Sequence, residues 1–206
     1  MKYGELNLGQ IEAVVNKLGG MEGVNQFLRG ELVLSQPNRR WREEGGIIYF
    51  SVTSSGITGE QWVSGLERNG FKVSDSTKRV LCSADFKPTN GITYEIAVFM
   101  GKFFSDDERI TKNIRKDAKI RKLITPNAEV ACLIREKFFD KELKAMGLYW
   151  IITMHKPIKD SEGNLLLLYA NRNGNGSWLD TDYDNPGDKW GSSIGFAFVV
   201  SQVSSS

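Results

Sequence analysis

Ile194-Gly195-Phe196-Ala197-Phe198-Val199-Val200 is a nearly unbroken apolar run, and the 23 residues before it, Asn171 to Ser193, are its opposite. Asn, Asp, Gly, Ser and Tyr fill 16 of those 23 positions, and two tryptophans, Trp178 and Trp190, stand among them. The apolar run reads as a buried closing strand, because β-branched and aromatic residues suit a pleated, packed surface. The polar stretch has no period of either helix or strand and reads as one long loop. Loops of that length inside a compact domain are usually binding loops or disordered, and two tryptophans argue against a solvated, disordered segment. Its mixture of rigid aromatic side chains and small adaptable hydrogen-bonders is the one binding surfaces use.

Working backwards, Leu165–Tyr169 and Leu148–Met154 read as two strands that pair through the turn Asp160-Ser161-Glu162-Gly163-Asn164. Before them lie two helical segments. The first opens at Ser105 as cap with Asp106-Asp107-Glu108 in its first turn, and buries Ile110, Ile114, Ala118 and Leu123 with Ile120. The second follows Pro126, runs from about Ala128 through Phe138, resumes near Lys141 and stops at Gly147. Gly91–Met100 alternates Ile92, Tyr94, Ile96 and Val98 and is a strand. Upstream, Ile47–Val52 reads as a strand. Thr58 caps a helix carrying Trp62, Val63 and Leu66, and Phe71–Val73 reads as a short strand. Ser76–Cys82 is too short to decide between helix and strand.

The N-terminal part reads as two short helices, one with Leu8, Ile11, Val14, Val15 and Leu18 and one with Val24, Phe27 and Leu28, separated at Gly19-Gly20. A helix-turn-helix would fit that outline. The second helix carries only Arg29 as a cation, however, so a packing unit is the preferred reading. Gln36-Pro37-Asn38-Arg39-Arg40-Trp41-Arg42, then Glu43-Glu44-Gly45-Gly46, reads as a linker or exposed turn. The expected organisation is a short helical unit over 1–35, a mixed segment over 36–90 and a C-terminal module over 91–202, α+β in class.

Composition narrows the function. The chain has 206 residues, 40% hydrophobic and 25% charged, enough for a packed core and unlike a disordered chain. The net charge of +2 gives no basis for non-specific binding to nucleic acid or to a membrane surface. One histidine and two cysteines do not supply a His/Cys zinc site in the usual ligand number. Cys82 and Cys132 sit in apolar surroundings and read as reduced core thiols, with a disulfide between them left open. No run is long enough to span a bilayer, and Met1–Gln10 lacks the basic start and apolar core of a signal peptide. The expected location is therefore cytoplasmic, with no membrane partner.

The run Asn175-Gly176-Ser177-Trp178, then Pro186, then Ile194-Gly195-Phe196-Ala197-Phe198-Val199-Val200 resembles the end of a C-type-lectin-like domain of the formylglycine-generating-enzyme type. It is similar in particular to the variable proteins of diversity-generating retroelements, with Ala197 where that family commonly has arginine. The resemblance extends over residues 91–202. It implies a C-type-lectin-like module and a ligand surface on the 171–193 loop. Asn, Asp, Gly, Ser and Tyr are also the residues reached when adenines of an AAY codon are replaced, which is how such retroelements vary a protein. The blocks Asn127-Ala128-Glu129-Val130-Ala131-Cys132 and Met154-His155-Lys156-Pro157-Ile158 resemble an uncharacterised bacterial protein family, which implies no function.

The expected function is that of a non-catalytic ligand-binding protein, without cofactor or obligatory metal, whose partner is a protein or another macromolecule. The candidate contacts are Asn171, Asn173, Asn175, Trp178, Asp180, Asp182, Tyr183, Asp184, Lys189, Trp190 and Ser192, with Trp190 the better aromatic anchor because the Trp of Gly-Ser-Trp is largely structural in the family. The alternatives are an interaction or scaffolding protein without a small ligand, and a DNA-binding protein using the basic stretches 39–42 and 112–122. Nucleic acid is not the expected partner. Asp180-Thr181-Asp182-Tyr183-Asp184 alternates acids as a calcium loop does. Asn185 stands where the loop needs glycine and Gly191 where it needs a bidentate Glu, which leaves only a looser calcium site from Asp180, Asp182, Asp184 and Asp188. His155 has no adjacent nucleophile or carboxylate and reads as structural. Glu129 and Glu136 share a helix face and read as a solvated pair.

Overall fold

The computed structural model describes residues 7–32, 39–160 and 162–204, the side chains of 201–204 excepted. The expectations on Met1–Leu6, Gln36-Pro37-Asn38, Ser161, Ser205 and Ser206 fall outside the described residues. Contacts divide the chain into Met1–Arg40 and Trp41–Ser206.

In the first unit, α1 (Leu8–Lys17) starts at a reciprocal cap. The Asn7 side chain accepts from the Gln10 N–H at 2.9 Å, and the Gln10 side chain accepts from the Asn7 N–H at 3.0 Å. After the turn at Gly19-Gly20, α2 (Met21–Leu28) buries only Gly23, so the two helices form no apolar core of their own.

The second unit is α+β, one nine-stranded mixed sheet with helices on it. The stretch expected to be a linker begins it. Arg42–Glu44 is β1, and it turns through Gly45-Gly46 into β2 (Ile47–Ser55). Both glycines have positive φ, +56° and +80°, the primed turn whose twist matches a tight hairpin. Next come α3 (Gly59–Arg68), capped by Thr58 as expected, β3 (Lys72–Val73) and α4 (Asp75–Leu81), which Ser74 caps. β4 (Asn90–Met100) is followed by a 3-10 turn at Gly101–Phe103.

α5 (Thr111–Ile120) begins later than the Ser105 cap implied. Arg109 is the reason. Its buried guanidinium donates to the carbonyls of Gly101, Phe104 and Trp190 and to Asp106, holding 105–109 as a turn rather than as a first helical turn. α6 (Glu129–Lys137) and α7 (Asp140–Ala145) precede β5 (Trp150–Thr153), β6 (Ile158–Lys159), β7 (Leu165–Asn173), β8 (Gly176–Tyr183) and β9 (Ile194–Ser204).

The strand order is β1-β2-β4-β9-β5-β7-β8-β3, with β6 on β7. The closing strand β9 lies at the centre, antiparallel to β4 and parallel to β5. A central strand is covered on both faces, which is why its sequence is a continuous apolar run instead of an alternating one. On one face Ile48, Phe50, Ile96, Val98, Ala197, Val199, Leu168, Ala170 and Leu179 pack with α3, α4, α6 and α7. On the other, Phe99, Ile152, Leu167, Tyr169, Phe196 and Phe198 pack with Ile114 and Ala118 of α5 and with Trp190. The sheet runs through residues 41–90 and 91–202 alike, since β2 pairs with β4 along its length. Both cysteines are free thiols; Cys132 is buried, whereas Cys82 at the end of α4 is exposed and not a core residue.

Candidate functional site

The stretch 171–193 is not a loop. Asn171–Asn173 completes β7, Gly174-Asn175 is a two-residue turn, and Gly176–Tyr183 is β8; only 184–193 is irregular. Ser177, Leu179 and Thr181 face the helical layer, where Leu179 is fully buried and the Thr181 hydroxyl donates to Ser76 of α4 at 2.7 Å. Two of these three inward positions are hydroxyl residues, so the strand period is absent from hydrophobicity alone.

The acidic alternation also has a structural cause. β3 pairs with β8 only at Trp178 and Leu179, leaving the N–H groups of Thr181 and Tyr183 on an open sheet edge. The Asp180 carboxylate accepts from the Thr181 N–H and the Asp182 carboxylate from the Tyr183 N–H, each at 2.8 Å. Charged side chains that occupy edge donors block pairing with another strand.

The candidate residues separate into groups. Asn171 is buried; its carbonyl accepts from Arg135 at 2.9 Å, and its Oδ1 has no partner. Trp190, expected to be the better anchor, is a core residue whose Nε1 donates to Thr111 at 3.0 Å and whose ring meets Phe196 edge-on. Asp184 accepts two bonds at 3.0 Å from one nitrogen of Arg115 of α5. Lys189 is exposed and pairs with Asp107, and Ser192 is exposed; these lie on the 184–193 segment, away from the hairpin turn.

Asn173 and Asn175 form that turn, the side chain of the first accepting from the N–H of the second at 2.8 Å. Trp178, Asp180 and Asp182 stand in a row, half-buried, on the side of β8 opposite Leu179, and Tyr183 is exposed at the strand end. α4 and α6 pack on β8 from the Leu179 side. Lys72 of β3 places its ammonium 5.2 Å from the Trp178 ring centre and donates to the Asn175 carbonyl at 2.6 Å. On the same side of the neighbouring strands Trp150 stacks on Tyr169, 4.7 Å between centroids at 18°. The Tyr169 hydroxyl donates to Asp180, and burial beside that carboxylate pushes its pKa up. Half-burial first, then Asp188 and Asp180 nearby, raises the Asp182 carboxyl above the usual carboxylate range against the pull of the Tyr183 N–H. Lys72, Trp150 and Tyr169 were missed by the sequence reading. Only strand pairing brings them to β8, and no local motif encodes that.

The other candidate chemistries resolve as packing. Asp180, Asp182, Asp184 and Asp188 do not converge; among the described residues no three His, Cys, Asp or Glu are arranged to hold a metal. His155 is fully buried: its Nε2 accepts the Leu168 N–H at 2.9 Å, so the ring proton is on Nδ1, which donates to the Lys156 carbonyl at 2.7 Å. Burial brings its pKa down to about 4. Glu129, expected in solvent, is fully buried and accepts from both the N–H and the hydroxyl of Thr89 at 2.8 Å. Of the basic stretches, Trp41 is buried, Arg42 is held 2.8 Å from Glu95, Arg115 by Asp184, and Arg121 2.9 Å from Asp117. Among the described residues no helix is long and apolar enough to cross a membrane. No protein-family model matches the chain, and neither does any curated protein or solved structure.

Proposed function

We propose that the chain is a non-catalytic binding protein that meets a protein or other macromolecular partner through the outer side of the β7–β8 hairpin. The observation that carries this reading is the row Trp178, Asp180, Asp182 on the face of β8 opposite Leu179, beside the exposed turn residues Asn173 and Asn175. A half-buried tryptophan fixed by Lys72 loses little side-chain freedom on binding, and the acids and amides around it supply hydrogen bonds. Peptide and glycan arrays probed with the wild-type chain and with a Trp178→Ala/Asp182→Asn variant test it. A ligand whose affinity falls about thirtyfold in the variant, as for a contact worth about 2 kcal/mol, supports it. Ligands bound equally by both, or turnover of any of them, refute it.

A second reading, the C-type-lectin-like variable protein, draws support from β4 and β9 lying in one sheet. It also draws support from the exposure of Asn173, Asn175 and Tyr183 and from the outward position of half-buried Asp182, all residues of the adenine-replacement set. Asn171 and Asp184 belong to the same set but are committed to internal bonds, so variation is expected at the first four and not at these two. A near-copy of the coding segment differing only at adenines, beside a reverse-transcriptase gene, is the expected finding; a neighbourhood without one refutes this second reading and leaves the first intact.

A further inference from the structure

The two sequence blocks that resemble an uncharacterised family are far apart along the chain, yet they face each other across one cleft. Its volume is about 470 Å³, and Pro126 and Ala128 at the head of α6 form one wall while Pro157, Ile158 and Leu165 form the other. That volume lies within the roughly 300–1,000 Å³ of ordinary small-molecule sites.

Both walls are held by hydrogen bonds to the backbone. Asn127 donates from its side chain to the Lys87 carbonyl at 2.8 Å, and its Oδ1 accepts the Glu129 N–H at 3.0 Å. Opposite, His155 grips the Lys156 carbonyl with one ring nitrogen and the β7 backbone with the other, and β6 pairs Ile158 with Leu166 and Lys159 with Leu165. The lining is therefore set before any ligand arrives, which lowers the ordering cost of binding.

The rim is cationic. Lys87, Lys156 and Lys159 line the cleft against a single carboxylate, Asp85, and all four side chains are exposed. Among the described residues none of the three ammonium groups is paired with a carboxylate, unlike Arg42, Lys78, Arg109, Arg115 and Arg121, which are. Unpaired like charges around one opening repel each other and gain when an anion sits between them. The apolar walls exclude a bare inorganic ion as the best-fitting occupant, because it would leave Pro126, Pro157, Ile158 and Leu165 unmatched.

We propose that this cleft binds a small organic anion, a phosphate or carboxylate head on an apolar body, with Lys87, Lys156 and Lys159 around the head. The proposal does not rest on the reading of the β8 surface, since none of the cleft's lining residues belongs to β8. Ammonium groups act as point charges and accept either head group; the planar fork of arginine, which would favour bidentate recognition, is absent from the lining.

The test titrates 1-naphthyl phosphate, 2-naphthoate and neutral 1-naphthol into the full chain while following backbone amide shifts by NMR. Saturable binding of an anionic probe with shifts centred on the amides of Asn127, Ala128, Lys156, Ile158 and Lys159 is expected, and at least about tenfold weaker binding of 1-naphthol. Raising salt should weaken the anions and leave 1-naphthol unchanged. A Lys87→Gln/Lys156→Gln/Lys159→Gln variant should lose about tenfold or more in anion affinity with an unchanged melting temperature, since these exposed side chains hold nothing in place. Phosphate-only and carboxylate-only binding each identify the head group and support the site. Equal binding of 1-naphthol, shifts centred elsewhere, an unaffected triple variant, or binding of an acidic peptide but of neither naphthyl anion overturns it. If the triple variant is destabilised, Lys156→Gln alone, on a backbone already held by His155, must still weaken the anion.

Discussion

The single histidine allows the packing of the sheet to be tested through one proton. His155 accepts the Leu168 N–H through Nε2, so adding a proton there breaks that bond and puts a charge into a site with no exposure. Burial lowers its pKa from 6.5 to about 4; its bond to the Lys156 carbonyl opposes the shift, and Arg115 adds to it. A base whose pKa is depressed by folding binds its proton more tightly in the unfolded chain, so its contribution to stability is complete above pH 6.5. It is lost as pH falls from 6.5 towards 4. The slope is about 1.4 kcal/mol per pH unit in that window, which gives a loss of about 2 kcal/mol by pH 5. Urea unfolding of wild type and of His155→Gln at pH 7 and pH 5 measures it, because groups common to both chains cancel in the difference. The wild-type advantage should shrink by about 2 kcal/mol between the two pH values. Ring ¹⁵N shifts, unambiguous with one histidine, should show a neutral Nδ1–H tautomer at pH 5.5. An imidazole that titrates near 6.5 in the folded protein, or a pH-independent difference, would refute the reasoning.

Trp190→Ala should destabilise the chain by about 3–5 kcal/mol in chemical denaturation, as for other buried aromatics, whereas half-buried Trp178→Ala should cost less than about 2 kcal/mol. Arg135 is fully buried, donates to the carbonyls of Asn171 and Phe138, and lies 4.7 Å over Phe71, with burial bringing its pKa down to about 10. Arg135→Ala should therefore cost about 3 kcal/mol or more in the same assay, and Arg135→Lys should not restore it, since an ammonium cannot reproduce the fork. At Gly59 an added Cβ would lie 1.8 Å from the Leu81 carbonyl oxygen, backbone that cannot swing aside. Gly59→Ala should force α3 from α4 and lower stability by about 2 kcal/mol or more, read from the urea midpoint. Millimolar chelator should leave the melting temperature within about 1 °C, because a metal held only by the native state would otherwise add stability by mass action.

The local signals in this chain were sufficient for most elements. The Thr58 cap, the helical spacing of Leu8, Ile11, Val14 and Val15, the apolar period of Gly91–Met100 and the nearly unbroken run Ile194–Val200 each depend on near neighbours, and each element forms where its pattern places it. The α+β class follows from the order of those elements; that Gly91–Met100 pairs directly with the closing strand is seen in the sheet. Non-local partners settled the remainder. Gly176–Tyr183 carries turn-forming residues, and it becomes a strand because β7 supplies a ladder and α4 a hydroxyl for Thr181. Its aspartates read as ligands until the open edge beside β3 shows which N–H groups they occupy. Arg109 delays α5 by reaching the carbonyl of Trp190, 81 positions further along the chain. Trp178 and Trp190 look alike in a polar stretch, yet Thr111 and Phe196 receive one and Lys72 the other. The sequence determined where backbone propensity and hydrophobic period agree. Burial, edge exposure and the pairing of charges depend on what lies across the sheet, and only the tertiary structure decided them.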